Sequence, residues 1–371
     1  MRIGVPKEIK DHEFRVGLTP RSVRELTEHG HEVVIQAGAG AEIGFPDAAY
    51  QAAGAALAAD AVEVFARAEM VVKVKEPQPE EIARLRDGQI LFTYLHLAAD
   101  RTQADGLMRS GAVCIAYETV TDVRGGLPLL APMSEVAGRM SVQVGAHYLQ
   151  RTQGGAGILL GGVPGVAPGR VVVLGGGVSG TNAARMAIGL GADVTVIDRS
   201  LSRLEQLDAR YGGRLRTLAA TADAIEQAVL EADLVIGAVL VPGAAAPKLV
   251  SREMVERMRA GSVLVDIAID QGGCFQTSRP TTHAEPVYVE AGVTHYCVTN
   301  MPGAVARTSA LALNNATLPF VLALAGKGWG QAMRDDPHLL GGLNVSAGRV
   351  THRAVAESLK LDWRPAQEFA G

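Results

Sequence analysis

Residues 170–198 read RVVVLGGGVSGTNAARMAIGLGADVTVID: an apolar run, a glycine-rich turn, a stretch of helical composition, and a second apolar run that ends on an acid. Val171–Leu174 predicts a buried parallel strand, and Gly175, Gly177 and Gly180 satisfy GxGxxG between that strand and a helix. Each glycine has a physical task in this setting. Gly175 allows the tight turn, Gly177 lets backbone approach a pyrophosphate, and Gly180 lets the helix pack on the strand. The amino terminus of the following helix offers its first N–H groups to phosphate. The next strand, Val194–Ile197, ends in Asp198, where a carboxylate can accept both ribose hydroxyls and would repel a 2'-phosphate, favouring NAD over NADP. A glycine-rich turn with a surface aspartate behind it is the alternative, and Arg199 beside the acid leaves NADP open.

Working outward, further strands are expected near Leu234–Val239, Val263–Ile267 and Tyr296–Val298. Upstream, Ile3–Val5, Glu32–Gln36, Met70–Val74, Ile90–Tyr94 and Ala112–Ala116 alternate with helical stretches, one opened by Thr19 and Pro20 as N-cap and first helical residue. Leu127–Pro132 and Met301–Gly303 break this rhythm. The uncharged run Thr308–Gly326 contains Asn314, Asn315 and Pro319, and reads as a buried helix rather than a membrane span. The expected architecture is α/β, two Rossmann-like domains with mostly parallel sheets and the active site in the cleft between them. Residues 1–128 plus 307–371 would form a discontinuous catalytic domain, and 129–306 an NAD-binding domain.

At 371 residues, 48% hydrophobic and 20% charged, the chain has the composition of a globular protein and not of a disordered one. A net charge of −4 offers no basic surplus for nucleic acid. Cys114, Cys274 and Cys297 are widely spaced and read as reduced thiols of a cytoplasmic protein. The opening MRIGVPKEIK meets charge and proline before an apolar stretch can build, unlike a signal peptide.

In open parallel sheets ligands sit at the carboxyl ends of strands. Three places there carry charge: Arg15 in EFRVGLTP, Lys73 and Lys75 in MVVKVKEP, and His96 after ILFTYL. An arginine fork matches a carboxylate, a lysine polarises a carbonyl, and a histidine exchanges protons near neutrality, a set suited to a small oxo or amino acid. Bland alternatives are a surface ion pair of Arg15 with Glu8 or Glu13, a solvated strand end for the lysines, and a packed histidine. Pattern does not choose between Lys73 and Lys75, which a period of two puts on one side. Asp270 and Asp266 compete in the same way after SVLVDIAID, where a turn or helix cap is the bland alternative.

Beyond these residues, EFRVGLTP (13–20), VKVKEP (72–77), ILFTYLHLA (90–98), APMSEVAGRM (131–140), GGVPGV (161–166), ADLVIGAVLVPGAAAPKLV (232–250), VLVDIAIDQGGCFQTSRPTTH (263–283) and NMPGAVARTS (300–309) resemble the alanine dehydrogenases, over nearly the whole chain. The resemblance implies a cytoplasmic homohexamer that interconverts L-alanine and NAD with pyruvate, ammonium and NADH, without nucleic-acid or membrane partners. It implies that Arg15, Lys75 and Asn300 bind substrate and that His96 and Asp270 form the catalytic pair. Ser134, Gly175, Gly177, Val178, Gly180, Asp198, Arg203, Val239, Leu240, Ile267, Asp270, Arg279, Val298 and Met301 would line the cofactor. Ala220 departs from relatives with serine there. Ala323 and Lys327 depart from members assigned a glutamate and a histidine that bind magnesium, so no metal is expected. Two alternatives are the NAD-binding subunit of a transhydrogenase and a catalytically silent NAD-binding module; the joint presence of Arg15, Lys75, His96 and Asp270 speaks against both.

Overall fold

Six strands come before residue 120 in the computed structural model, which describes residues 1–239 and 246–370. They are β1 (Arg2–Val5), β2 (Glu32–Gln36), β3 (Ala56–Ala58), β4 (Met70–Val72), β5 (Ile90–Thr93) and β6 (Val113–Ala116). There follow β7 (Arg170–Leu174), β8 (Asp193–Asp198), β9 (Arg216–Ala219), β10 (Leu234–Gly237), β11 (Val263–Asp266), β12 (Val287–Glu290) and β13 (Val293–Tyr296). The chain ends with β14 (Leu343–Ser346) and β15 (Arg349–Val350). Two compact units result, Met1–Met133 with Val305–Gly371, and Ser134–Ala304.

In the first unit the strand order is β15-β14-β6-β5-β4-β1-β2-β3, with β1 to β6 parallel and β14 and β15 antiparallel additions beside β6. In the second it is β12-β13-β11-β10-β7-β8-β9, antiparallel only between β12 and β13. Both are therefore doubly wound α/β sheets, as expected. The winding reverses beside the first strand of each, between β1 and β4 and between β7 and β10, where such sheets place ligands. Every residue of β5, β6, β10 and β11 is buried, which is why these strands read as unbroken apolar runs.

Several elements differ from expectation. β4 stops at Val72, so Lys73 and Lys75 do not share a face by strand periodicity. The last strand of the second series is Val293–Tyr296, preceding the expected Tyr296–Val298. The helix that carries the uncharged run begins earlier, at Ala306, and runs to Lys327. It is long and apolar enough to cross a membrane by length and composition, yet it is not wholly buried. One stripe, including Ala310, Leu313, Asn314, Thr317, Val321 and Leu324, is packed in the protein, while Leu311 is exposed. Asn314 explains its own presence. Its Oδ1 accepts from the backbone N–H of Thr19 and from the Ser22 hydroxyl, both at 2.8 Å, so it docks this helix on the start of the helix Pro20–Glu28.

Two glycines after β7, one at the cap and one in the first turn of the following helix, make opposite demands. A Cβ on Gly180 would lie 1.8 Å from the Gly175 carbonyl oxygen, whereas one on Gly177 would meet nothing within 4 Å. Gly180→Ala is accordingly expected to destabilise the fold by about 1–3 kcal/mol through forced displacement, and Gly177→Ala by less than about 0.5 kcal/mol; paired denaturant unfolding curves check this, and equal midpoints for the two variants contradict it.

Candidate active site

Lys73, at the end of β4, is wholly buried, with Nζ 2.9 Å from Glu8 Oε2 and 2.7 Å from Glu81 Oε1. Two carboxylates around one ammonium leave an excess of negative charge out of water. Burial pushes the Glu8 carboxyl above its usual range, against the pull of Lys73, and the two acids together hold the Lys73 ammonium above its usual range against its own desolvation. The same Glu8 accepts the Val74 N–H at 2.7 Å, and Tyr117 Oη donates to the Lys73 carbonyl at 3.0 Å. Lys73 is thus held as a structural strut. Lys75 is half-buried, with Nζ 3.6 Å from Glu76, whose other carboxylate oxygen is held by Lys10. Burial opposes the Glu76 charge, but Lys75 and Lys10 outweigh it and keep its carboxyl below the ordinary range.

Arg15 lies on the loop after β1, across the sheet's reversal point from Lys75. Its partner is Glu13, one of the two acids weighed for a surface pair, but the pair is buried: Arg15 is 2% exposed. Nε donates to Glu13 Oε1 at 2.6 Å and Nη2 to Oε2 at 2.5 Å, a bidentate grip that fixes the guanidinium plane, while Nη1 lies 3.0 Å from Met133 Sδ.

His96 is exposed, which removes the packed-histidine alternative. Its backbone is left-handed, with φ of 51° and ψ of 32°, and its ring stacks on Tyr94 at 5.7 Å between centroids. Tyr94 is buried and donates to the Leu129 carbonyl. Arg15, Lys75 and His96 thus follow the adjacent strands β1, β4 and β5 at the carboxyl ends of the first sheet. Sequence reading missed Tyr94 and Met133, because nothing local marks them as neighbours of the His96 ring and of the Arg15 guanidinium.

The second unit separates its two aspartates. Asp266 is fully buried and accepts from Ser278 Oγ at 2.5 Å, Cys274 N–H at 2.9 Å and Ala268 N–H at 3.1 Å, the last as the cap of the 3-10 helix Ile267–Gln271. Burial raises its carboxyl above the usual range despite these donors. Asp270, inside that short helix, is exposed to solvent, and Ile267 at its start is half-buried.

At the reversal point of the second sheet Gly175 has φ of 99°, and a Cβ there would lie 2.8 Å from the Ala238 carbonyl. The helix Val178–Gly189 starts without a side-chain cap, so its first N–H groups have no side-chain acceptor, and Val178 is exposed. Asp198 Oδ2 accepts the Gly176 N–H at 2.6 Å and Oδ1 the Ser200 N–H at 2.8 Å, which pins the acid against the glycine loop. Arg203 is exposed beside it, with its Cγ 3.0 Å from where a Gly176 Cβ would be. Ser134 and Val239 are half-buried, and Leu240 lies outside the described residues. Arg279 is exposed, with its guanidinium 3.9 Å from the centroid of Tyr288. Val298 and Met301 are buried, and Asn300 between them is left-handed, its carbonyl 3.0 Å from His283 Nε2.

Comparison with known proteins adds family context. Residues 4–137 match the model described as alanine dehydrogenase/PNT, N-terminal domain, and residues 141–353 the corresponding C-terminal domain. An alanine dehydrogenase of Halomonas elongata is 65% identical over all of both chains. A solved L-alanine dehydrogenase superposes with a TM-score of 0.94 at 56% identity, covering 97% of this chain and 99% of that one. A solved transhydrogenase from Sinorhizobium meliloti is more distant, with a TM-score of 0.82 at 25% identity, covering 95% of this chain and all of that one.

Replacing Lys73 with methionine removes the cation and leaves Glu8 and Glu81 buried side by side. Lys73→Met is expected to cost about 3–5 kcal/mol of stability at neutral pH. An unfolding midpoint equal to wild type in denaturant titration contradicts the strut.

Proposed function

The chain belongs to the alanine dehydrogenase/PNT family, and on that premise we propose that it catalyses the oxidative deamination of L-alanine with NAD. L-alanine, NAD and water give pyruvate, ammonium, NADH and a proton, and the same site runs the reverse amination. The observation that carries this reading is the set of side chains that follow the adjacent strands β1, β4 and β5: a guanidinium with its plane fixed, an ammonium and a solvent-facing imidazole. A 2-amino or 2-oxo acid presents the matching groups.

Arg15 binds the substrate carboxylate through its Nη edge, where the thioether of Met133, a weak acceptor, yields to a charged one. Lys75 Nζ donates to the oxygen on C2 of pyruvate and of the carbinolamine that precedes it. His96 takes a proton from the water attacking C2 and returns a proton to the departing amine. Asp270 stabilises positive charge on the imine nitrogen, and the side chain of Asn300 helps orient the substrate.

The second unit fits a nicotinamide dinucleotide. Open room above Gly177, the left-handed turn at Gly175 and the uncapped first turn at Val178 form a cradle for pyrophosphate, with Gly180 closing helix on strand. Asp198 faces the ribose hydroxyls, and Arg203 and Val239 flank them, with Leu240 in the same stretch. Ser134, Ile267, Arg279, Val298 and Met301 complete the nucleotide contacts. When bound, the nicotinamide supplies the two-electron acceptor for the alanine Cα–H.

A homohexamer in the cytoplasm belongs to the same reading. Location is supported by the free, buried state of Cys114, Cys274 and Cys297, and assembly by family resemblance.

Purified protein is expected to form NADH from NAD only when L-alanine is supplied. Activity with lactate or glutamate but none with L-alanine overturns the substrate, and hydride exchange between NADH and an NADP analogue that requires a membrane partner overturns the reaction. His96→Gln is expected to lower kcat by about 100-fold or more while NAD binding and thermal stability stay near wild type; an unchanged kcat across pH removes His96 from the proton transfer. Asp198→Ala is expected to shift the ratio of kcat/KM for NADP over NAD upward by about tenfold, and a ratio equal to wild type contradicts the ribose contact.

A further inference from the structure

His96 holds a backbone conformation that a non-glycine residue adopts only at a cost, so some contact must maintain it. Across the parallel pair β5–β6, partners are separated by 23 residues, as in Ile90–Val113 and Thr93–Ala116. Carried past both strand ends, the same offset sets Leu95 opposite Glu118. There the side chain of Glu118 takes the place of a neighbouring strand's carbonyl. Its Oε1 accepts the His96 N–H at 2.6 Å and the Leu95 N–H at 3.1 Å, and its Oε2 lies 3.2 Å from the Leu95 nitrogen. Two successive N–H groups converging on one anion form a small backbone nest, which the left-handed turn at His96 makes possible.

Glu118 is itself firmly placed. It lies in the short 3-10 helix Tyr117–Thr119, directly after β6. Tyr117 beside it packs edge-to-face on Phe92 at 4.4 Å and on Tyr94 at 5.1 Å, and Tyr94 in turn stacks on the imidazole. Two adjacent strand ends therefore hold the histidine, that of β6 by a carboxylate on its backbone and that of β5 by a ring on its side chain.

We infer that Glu118 is a positioning residue for His96, acting through the nest to present the imidazole to the substrate. This rests on the role of His96 in the proposed alanine chemistry. Glu118→Ala should release His96 from the left-handed region. It should lower kcat for alanine oxidation about tenfold, a typical penalty for a misplaced reacting group, with KM for NAD and melting temperature near wild type. Glu118→Gln, which keeps one carbonyl acceptor, should recover part of that loss.

The decisive measurement is a double-mutant cycle. If Glu118 acts through His96, adding Glu118→Ala to His96→Gln should produce no further fall in kcat. A full tenfold fall in the His96→Gln background, or wild-type kcat in Glu118→Ala alone, overturns the proposal. Should Glu118→Ala fail to fold, the cycle is run with Glu118→Gln and read the same way. If the wild-type protein shows no alanine-dependent NADH formation, the functional reading fails separately. Crystal structures of the wild type and Glu118→Ala then decide the positioning claim, and a left-handed His96 in the variant overturns it.

Discussion

The buried ammonium of Lys73 is the contact around which the first unit's functional end is arranged. An uncompensated charge in an apolar interior is costly, so the chain must bring Glu8 from the loop after β1 and Glu81 from beyond β4 to meet it. Glu8 then secures the Val74 N–H and Tyr117 secures the Lys73 carbonyl. Four segments are thereby tied at one point: the loops after β1 and β4, the strand β5 through the Lys73 N–H bond to Phe92, and the residue following β6. The positions of Lys75 and of the loop bearing Arg15 follow from that tie.

Both units solve the placement of polar groups with the same winding. The reversal beside β1 carries charged side chains, and the reversal beside β7 carries glycines that expose backbone. The two ends differ in how order is imposed. Carboxylates do it in the first unit, with Glu13 on Arg15, Glu76 on Lys75 and Glu118 on the His96 backbone. Steric closeness does it in the second, where Gly180 and Gly175 leave no room for a Cβ.

Much of this was legible in the sequence because central parallel strands are buried on both faces and appear as uninterrupted Val, Ile and Leu. The short or marginal strands were not. β3, β9, β14 and β15 carry alanine, arginine, asparagine or serine, and their pairing is imposed by neighbours rather than by local preference. The glycine loop and Asp198 were readable because their spacing is local. Which of Lys73 and Lys75, and which of Asp266 and Asp270, the fold encloses was not, since that turns on where a strand stops and which groups surround its end. The left-handed backbone of His96 had no signal at all, because its cause is a carboxylate 22 residues away.

The returning segment also constrains the order in which the protein can be made. β6 acquires its neighbour β14 from residues 343–346, and the helix Pro20–Glu28 acquires its Asn314 contact from a helix that begins at residue 306. A ribosome releases those partners only after the whole second unit has been synthesised. The nascent segment Met1–Met133 must therefore wait with an open sheet edge, while the inserted unit, contiguous in sequence, can complete its own sheet first. Contacts closed over such long sequence separations fold slowly, and the interval between them is when this chain is most exposed to aggregation.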